Sequence, residues 1–242
     1  GTDEGTIWLW DLKAGAGRAL GKEPQGVRGL ALSPDGAWVA TTTEGSNTIK
    51  LWGTRGQATR ALEGHSSIVT RLAFSPDSKL LASVGLDKVV RLWSLDGPGV
   101  RTQEGTEGGL YDVQFSPAGD VLAVATDSGA VRLWTLATGE SRVLRGHEKA
   151  SKLLALSPDG QRLASVSSDG TARLWDLQSG DSRVLRGHQT RITRLAFSPD
   201  GRLLASADNA GEVRLFSDAL PFGEALRAAL PSLASQLRPP SN

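Results

Sequence analysis

The chain has 242 residues and a formal net charge of +1, from 27 Lys and Arg against 26 Asp and Glu, with no Cys, no Met and seven Trp. Without cysteine it can form no disulfide framework, zinc–thiolate site or thiol nucleophile, so its stability must come from packing and backbone pairing. So balanced a charge does not suit a surface that neutralises phosphates or an anionic membrane, and neither nucleic acid nor membrane is expected as a partner.

No run of about 18 apolar residues and no charged-then-apolar leader is present, so a cytoplasmic location is the expectation. The absent Met includes an initiator, since the chain opens Gly1-Thr2-Asp3, and a larger parent protein is expected. Self-similarity then sets the domain plan. Leu-Trp places Trp10, Trp52, Trp93, Trp134 and Trp175 at steps of 42, 41, 41 and 41, and Phe216 follows after another 41. Ser-Pro-Asp-Gly or a near variant begins at Ser33, Ser75, Ser116, Ser157 and Ser198 in the same period. Gly-His recurs at His65, His147 and His188, with Thr106 in the same register. The heptapeptide Ser141 to His147 returns unchanged as Ser182 to His188, which points to duplication of one unit.

In chain order, residues 5 to 20 hold the third and fourth strands of a unit, and complete units open near 26, 68, 110 and 151. The unit from Gly146 to Leu185 displays the pattern. Apolar Lys152 to Leu156 leads into the turn Ser157-Pro158-Asp159-Gly160, where Pro presets φ and Gly accepts a positive φ. Arg162 to Val166, a turn at Ser168-Asp169-Gly170, Thr171 to Trp175, a turn at Gln178-Ser179-Gly180 and Arg183 to Leu185 complete it. Four short strands form a small antiparallel meander, which cannot bury both faces unless neighbours stack on it. Residues 192 to 217 supply three strands more. Beyond them Leu226, Leu230, Leu233 and Leu237 step at helical spacing, with Asp218 as a cap and Pro231 as a kink, before a frayed Arg238 to Asn242.

Gly-His, Ser-Pro-Asp-Gly and Leu-Trp-Asp on this period resemble the WD-repeat family of β-propellers over roughly residues 1–217. The resemblance implies an all-β β-propeller of four-stranded antiparallel blades; the register gives five to six blades in this chain, the first incomplete, and the leucine spacing adds a short C-terminal helix. The expected division is a propeller over 1–217, open at its N-terminal edge, and a helical tail over 218–242. Trp-Asp in full stands at Trp10-Asp11 and Trp175-Asp176, while Trp52-Gly53, Trp93-Ser94, Trp134-Thr135 and Phe216-Ser217 depart from it. An inventory of 21 strands falls short of six blades, and a seven-bladed ring completed by preceding residues is expected; the rival is a six-bladed ring closed from an unexpected place.

His65, Ser83, Asp87 and Trp93 in one unit match His147, Ser165, Asp169 and Trp175 in another. Each set holds a nucleophile, a base and a carboxylate by residue type. Recurrence 82 residues apart argues against a catalytic site. The resemblance implies instead a buried hydrogen-bonded chain from indole to hydroxyl to imidazole to carboxylate. It is incomplete where Val124 and Thr106 replace Ser and His, and where Phe216 has no N–H. All three histidines are used in Gly-His pairs, so no catalytic residue, metal or cofactor is expected. Ala16 to Glu23 nearly spells a phosphate-binding loop but fails at Glu23, where Ser or Thr should stand, and reads as a fourth strand and its turn. A basic column at Lys50, Arg91, Arg132, Arg173 and Arg214 lies on the strand face of each Trp, and reads as stems covering neighbours or pairing with nearby acids rather than a nucleic-acid stripe.

In the register that the family uses to line the top mouth of its channel stand Arg28, Thr70, Tyr111, Lys152 and Thr193. Ile68 and Leu86 are expected exposed beside Tyr111, ringed by Arg28, Lys152 and Arg191, as a patch for a peptide or loop with an apolar anchor and an acidic group. The expected function is a non-catalytic scaffold or sensor module binding a protein, peptide or another domain of the same protein on that top face, within a larger regulatory protein. The alternative is a small-molecule or catalytic site at the central channel. Arg outnumbers Lys 20 to 7, which hints at a GC-rich bacterial coding sequence.

Overall fold

Runs of three to seven residues, most of them rich in Val, Leu, Ala and Thr and closed by Pro, Gly, Asp or Ser, form the described elements of the fold. The computed structural model describes residues 2–97, 99–103 and 108–217. β1 (Thr6–Asp11) and β2 (Ala16–Lys22) form a two-stranded sheet. Four meanders of four strands follow. The first is β3 (Val27–Leu32), β4 (Trp38–Thr43), β5 (Ile49–Gly53) and β6 (Arg60–Leu62), and the second is β7 (Val69–Phe74), β8 (Leu80–Gly85), β9 (Val90–Ser94) and β10 (Val100–Gln103). The third is β11 (Leu110–Phe115), β12 (Val121–Thr126), β13 (Val131–Thr135) and β14 (Ser141–Leu144), and the fourth is β15 (Ser151–Leu156), β16 (Arg162–Ser167), β17 (Ala172–Asp176) and β18 (Ser182–Leu185). β19 (Ile192–Phe197), β20 (Leu203–Asp208) and β21 (Val213–Ser217) make a three-stranded sheet. All pairings are antiparallel between sequence neighbours, which is the architecture the repeat predicts. The expected C-terminal helix and Thr106 lie outside the described residues.

The Ser-Pro-Asp-Gly turn is fastened by its own side chains. Buried Ser157 donates its hydroxyl to Asp159 at 2.5 Å and accepts the Arg162 N–H at 2.9 Å, while Asp159 accepts the Gln161 N–H at 3.0 Å. Gly160 closes the turn at φ 70°, and Ser78 takes the same left-handed position at φ 60° in the second meander.

Sheets stack through their first strands, β3 on β7, β7 on β11, β11 on β15 and β15 on β19. Apolar clusters fill each gap. Trp134, Leu122 and Val124 meet Ala82, Val90 and Leu92, and Trp175 and Leu163 meet Ala123, Ala125 and Leu133. Burying roughly 200 Å² of indole stabilises by about 5 kcal/mol before ordering entropy is subtracted. Among the described residues, both faces of the middle sheets are covered in this way, and the end sheets are covered on one. Trp52, Trp93, Trp134 and Trp175 are 7%, 6%, 3% and 1% exposed, each lying against the preceding sheet, whereas Trp10, at the same repeat position, is 62% exposed because no sheet precedes its own among the described residues.

A second tie between sheets escaped the sequence reading. Arg18 donates to the Thr54 carbonyl of the next sheet, Arg60 to Leu95 O at 3.1 Å, and Arg142 to Leu177 O at 2.9 Å. These arginines occupy the outermost strands in one register of the repeat, together with Arg101 and Arg183. The periodicity was visible; the reach into the neighbour was not.

Candidate functional site

Each first strand breaks its pairing register at one residue. The shifts fall between Val27 and Gly29, Val69 and Arg71, Leu110 and Asp112, Ser151 and Leu153, and Ile192 and Arg194. The residues bulged out are therefore Arg28, Thr70, Tyr111, Lys152 and Thr193. A bulge re-aims its side chain away from the ladder. Here all five line one cavity of about 380 Å³, together with Ile68, Leu86 and Arg191. Every residue of the sequence-derived mouth is thus brought together. Arg71, Leu153, Ile192 and Arg194 join them and were missed, because they lie next to the bulge rather than on it.

The cavity is cationic with a small apolar side. Arg28, Arg71, Lys152, Arg191 and Arg194 line it. Facing them, Glu44 lies 3.7 Å from Arg28 and Asp112 lies 3.7 Å from Arg71. Tyr111 donates its hydroxyl to Asp127 at 2.9 Å, and Lys152 Nζ sits 2.9 Å from the Tyr111 ring centroid. Partial burial, then the Asp127 carboxylate, push the Tyr111 phenol up. Partial burial pulls the Lys152 ammonium down, with Arg191 adding to the shift and Asp127 opposing it. Arg191 is exposed and makes no ion pair among the described residues. On the apolar side the Leu86 N–H donates to Ile68 O at 3.0 Å, which sets the two side chains together. Leu86 is 40% exposed, but Ile68 is half-buried, a correction to its expected exposure that follows from this pinning.

Below the mouth, Asp112 is a buried carboxylate that sequence reasoning missed. It accepts the Leu154 N–H of the next sheet at 2.8 Å and the Val113 N–H at 2.9 Å. Burial pushes its carboxyl up to about 6, against the pull of those N–H groups and of Arg71. A single acid among Gly29, Arg71, Leu153 and Arg194 at one register position was the available signal.

The polar constellations are buried chains inside the sheets. Trp93 Nε1–H donates to Ser83 Oγ at 2.8 Å, Ser83 meets His65 Nε2 at 2.7 Å, and His65 Nδ1 meets Asp87 at 2.8 Å. Trp175, Ser165, His147 and Asp169 repeat the arrangement at 2.8, 2.8 and 3.0 Å. Burial holds His65 and His147 below the usual imidazole range, so both are neutral at pH 7. The direction of every bond follows. Indole donates to hydroxyl, hydroxyl to Nε2, and Nδ1–H to carboxylate. Where the first meander has no histidine, Glu23 stands in: Trp52 donates to Thr41 at 2.8 Å, Thr41 donates to Glu23 at 2.6 Å, and Lys50 pairs with Glu23 at 3.2 Å. That is the place of Glu23, which the phosphate-loop comparison had left without a role.

The family model described as WD domain, G-beta repeat matches residues 19–53, 56–94, 97–135, 139–176 and 181–217. The chain belongs to this family. No curated protein matches it. The matched units coincide with a fourth strand followed by the first three of the next WD-repeat blade, and so cross the blade boundaries seen here.

The basic column is engaged within the WD-repeat blades. Arg91 pairs with Asp87 at 3.0 Å and Arg214 with Glu212 at 2.6 Å, while Arg132 and Arg173 lie 5.4 and 5.9 Å from the rings of Trp134 and Trp175. Among the described residues, His188, Asp208 and Glu212 offer the one cluster whose ligand atoms lie close enough to hold a metal. Their atoms are already committed: His188 bonds Ser206 at 2.6 Å and Asp208 at 2.9 Å, and Arg214 takes Glu212. A cation there would have to displace the proton of His188 Nδ1 and an ion pair.

Proposed function

We propose that this WD-repeat chain is a non-catalytic interaction module whose channel mouth binds a protein, a peptide or another domain of the same cytoplasmic regulatory protein. WD repeats generally mediate protein–protein interaction. The observation that carries the reading is the convergence of five bulged residues with Ile68, Leu86 and Arg191 in one cavity. Five cations against three nearby carboxylates favour an acidic group on the partner, and Leu86 beside Tyr111 favours an apolar anchor next to it. Nucleic acid and membrane are set aside because the basic column is spent inside the blades and the mouth is small.

Affinity capture from host lysate with the parent chain, Tyr111→Ala and Arg191→Glu tests it. Loss of the same captured proteins from both variants is expected. Unchanged capture profiles would overturn the assignment of this mouth.

A further inference from the structure

The first strands begin at the mouth and end at the Ser-Pro turns, so β11 and β15 reach the opposite face about 17 Å away, at roughly 3.3 Å per residue. There a cleft of about 760 Å³ opens between the β11–β14 and β15–β18 blades. The repeat explains its presence. Two register positions fill each gap between blades at this face: the first residue of a second strand, and the last residue of the next blade's first strand. The pairs are Trp38 with Phe74, Leu80 with Phe115, Val121 with Leu156, and Arg162 with Phe197. Trp38 and Phe74 pack on one cluster, Leu80 packs against the cluster holding Phe115, and the Arg162 guanidinium lies 5.8 Å from the Phe197 ring. Val121 and Leu156 pack on the corresponding cluster of their own gap, and each is the smallest member of its series. Both reductions fall in one gap, and together they leave Val121, Leu133, Leu156 and Leu177 lining open space.

The rim has the opposite sign to the mouth. Asp120, Glu140 and Asp159 line it against two guanidinium groups, that of Arg142, whose donors go to Leu177 O and Gln178 O, and that of Arg162, 4.0 Å from Asp159. The Ser157 hydroxyl and the Gln161 N–H hold the Asp159 carboxyl below the usual carboxylate range, so it is ionised at neutral pH. An apolar floor inside an acidic rim complements a cationic, amphipathic segment. We propose that this cleft is a second docking site, which takes a short partner segment carrying one aliphatic or aromatic anchor flanked by Lys or Arg. The mouth and the cleft stand at opposite ends of the inner strands and differ in charge, so neither reading depends on the other.

The test is fluorescence anisotropy on the full 242-residue chain. The probe is a fluorescein-labelled octapeptide with a central leucine between pairs of lysines, and its control carries glutamates in place of the lysines. Saturable binding of the lysine peptide alone is expected. Leu156→Phe and Val121→Leu, which restore residues used in the other gaps, should weaken it at least about tenfold. Tyr111→Ala at the mouth should leave it unchanged. Should Leu156→Phe not fold, Glu140→Lys on the exposed rim reads the same site, and loss of the preference for the lysine peptide is the expected result. Equal binding of both peptides, no binding of either, or an affinity indifferent to Leu156→Phe overturns the proposal. So does self-association of the chain that Leu156→Phe abolishes, which would assign the cleft to a second copy.

Discussion

Trp93 Nε1 lies 2.8 Å from Ser83 Oγ, and both groups are buried beneath the blade surface. The bond joins β9 to β8 from the apolar side, so the residue that fills the gap between blades also fixes the tautomer of His65 one link further on. Packing and polar order are therefore carried by one side chain.

Removing a link should show in stability. In His147→Ala the Ser165 hydroxyl loses its acceptor, while Asp169 keeps the Thr171 N–H at 2.8 Å and the Glu148 N–H at 3.1 Å. The expected loss is about 1–3 kcal/mol. Ser165→Ala strands both the Trp175 N–H and His147 Nε2, and is expected to lose at least as much. Urea unfolding of the two variants beside the parent measures this, and an unchanged midpoint for His147→Ala would sink the network as a source of stability.

The last blade invites the reverse experiment. Ser206 meets His188 at 2.6 Å, and Phe216 stands where other blades place the donating Trp. Phe216→Trp would supply an N–H to Ser206 from a half-buried position that packs on the cluster holding Leu174, Leu185 and Leu204. A gain of about 0.5–1.5 kcal/mol is expected in the same unfolding measurement. A destabilised variant would mean that Ser206 cannot turn to accept.

The repeat made most of this legible. Markers one period apart placed the strands, their sheets and the mouth residues, because a duplicated unit must solve the same packing problem each time. Glu23, Asp112 and the Val121–Leu156 pair were not read, for a common reason. Each departs from the consensus, and its meaning depends on which neighbour from the adjoining blade it meets, such as Thr41 for Glu23 or Leu154 for Asp112. The order of residues supplies the register, and the stacking of blades supplies the partner.

Tryptophan emission should report the uncovered end. Trp8 and Trp10 are 46% and 62% exposed and stacked 6.2 Å apart, whereas Trp175 is sealed between blades. Iodide should quench a minority fraction of the fluorescence, and Trp10→Phe should remove much of that fraction while Trp175→Phe leaves it in place. A quenchable fraction insensitive to Trp10→Phe would show this face covered in solution.

Acidity should act on the fold in two opposed ways. His65 and His147 have depressed pKa values in the fold, so their contribution is present above the unfolded value of 6.5 and is lost as pH falls through the folded values. Asp112 runs the other way. Its carboxyl is raised from 3.8 to about 6, so its contribution is full below 3.8 and lost as pH rises through about 6. A shift of this size corresponds to about 3 kcal/mol in full, of which about 2 kcal/mol is lost between pH 4 and pH 7. In Asp112→Asn one N–H loses its acceptor, which offsets stability by an amount independent of pH. The stability of the parent minus that of Asp112→Asn should therefore fall by about 2 kcal/mol over that interval in urea titrations, while the histidine contribution cancels in the difference. A flat difference would mean that Asp112 is ionised throughout, with Arg71 closer to it in solution than the 3.7 Å seen here.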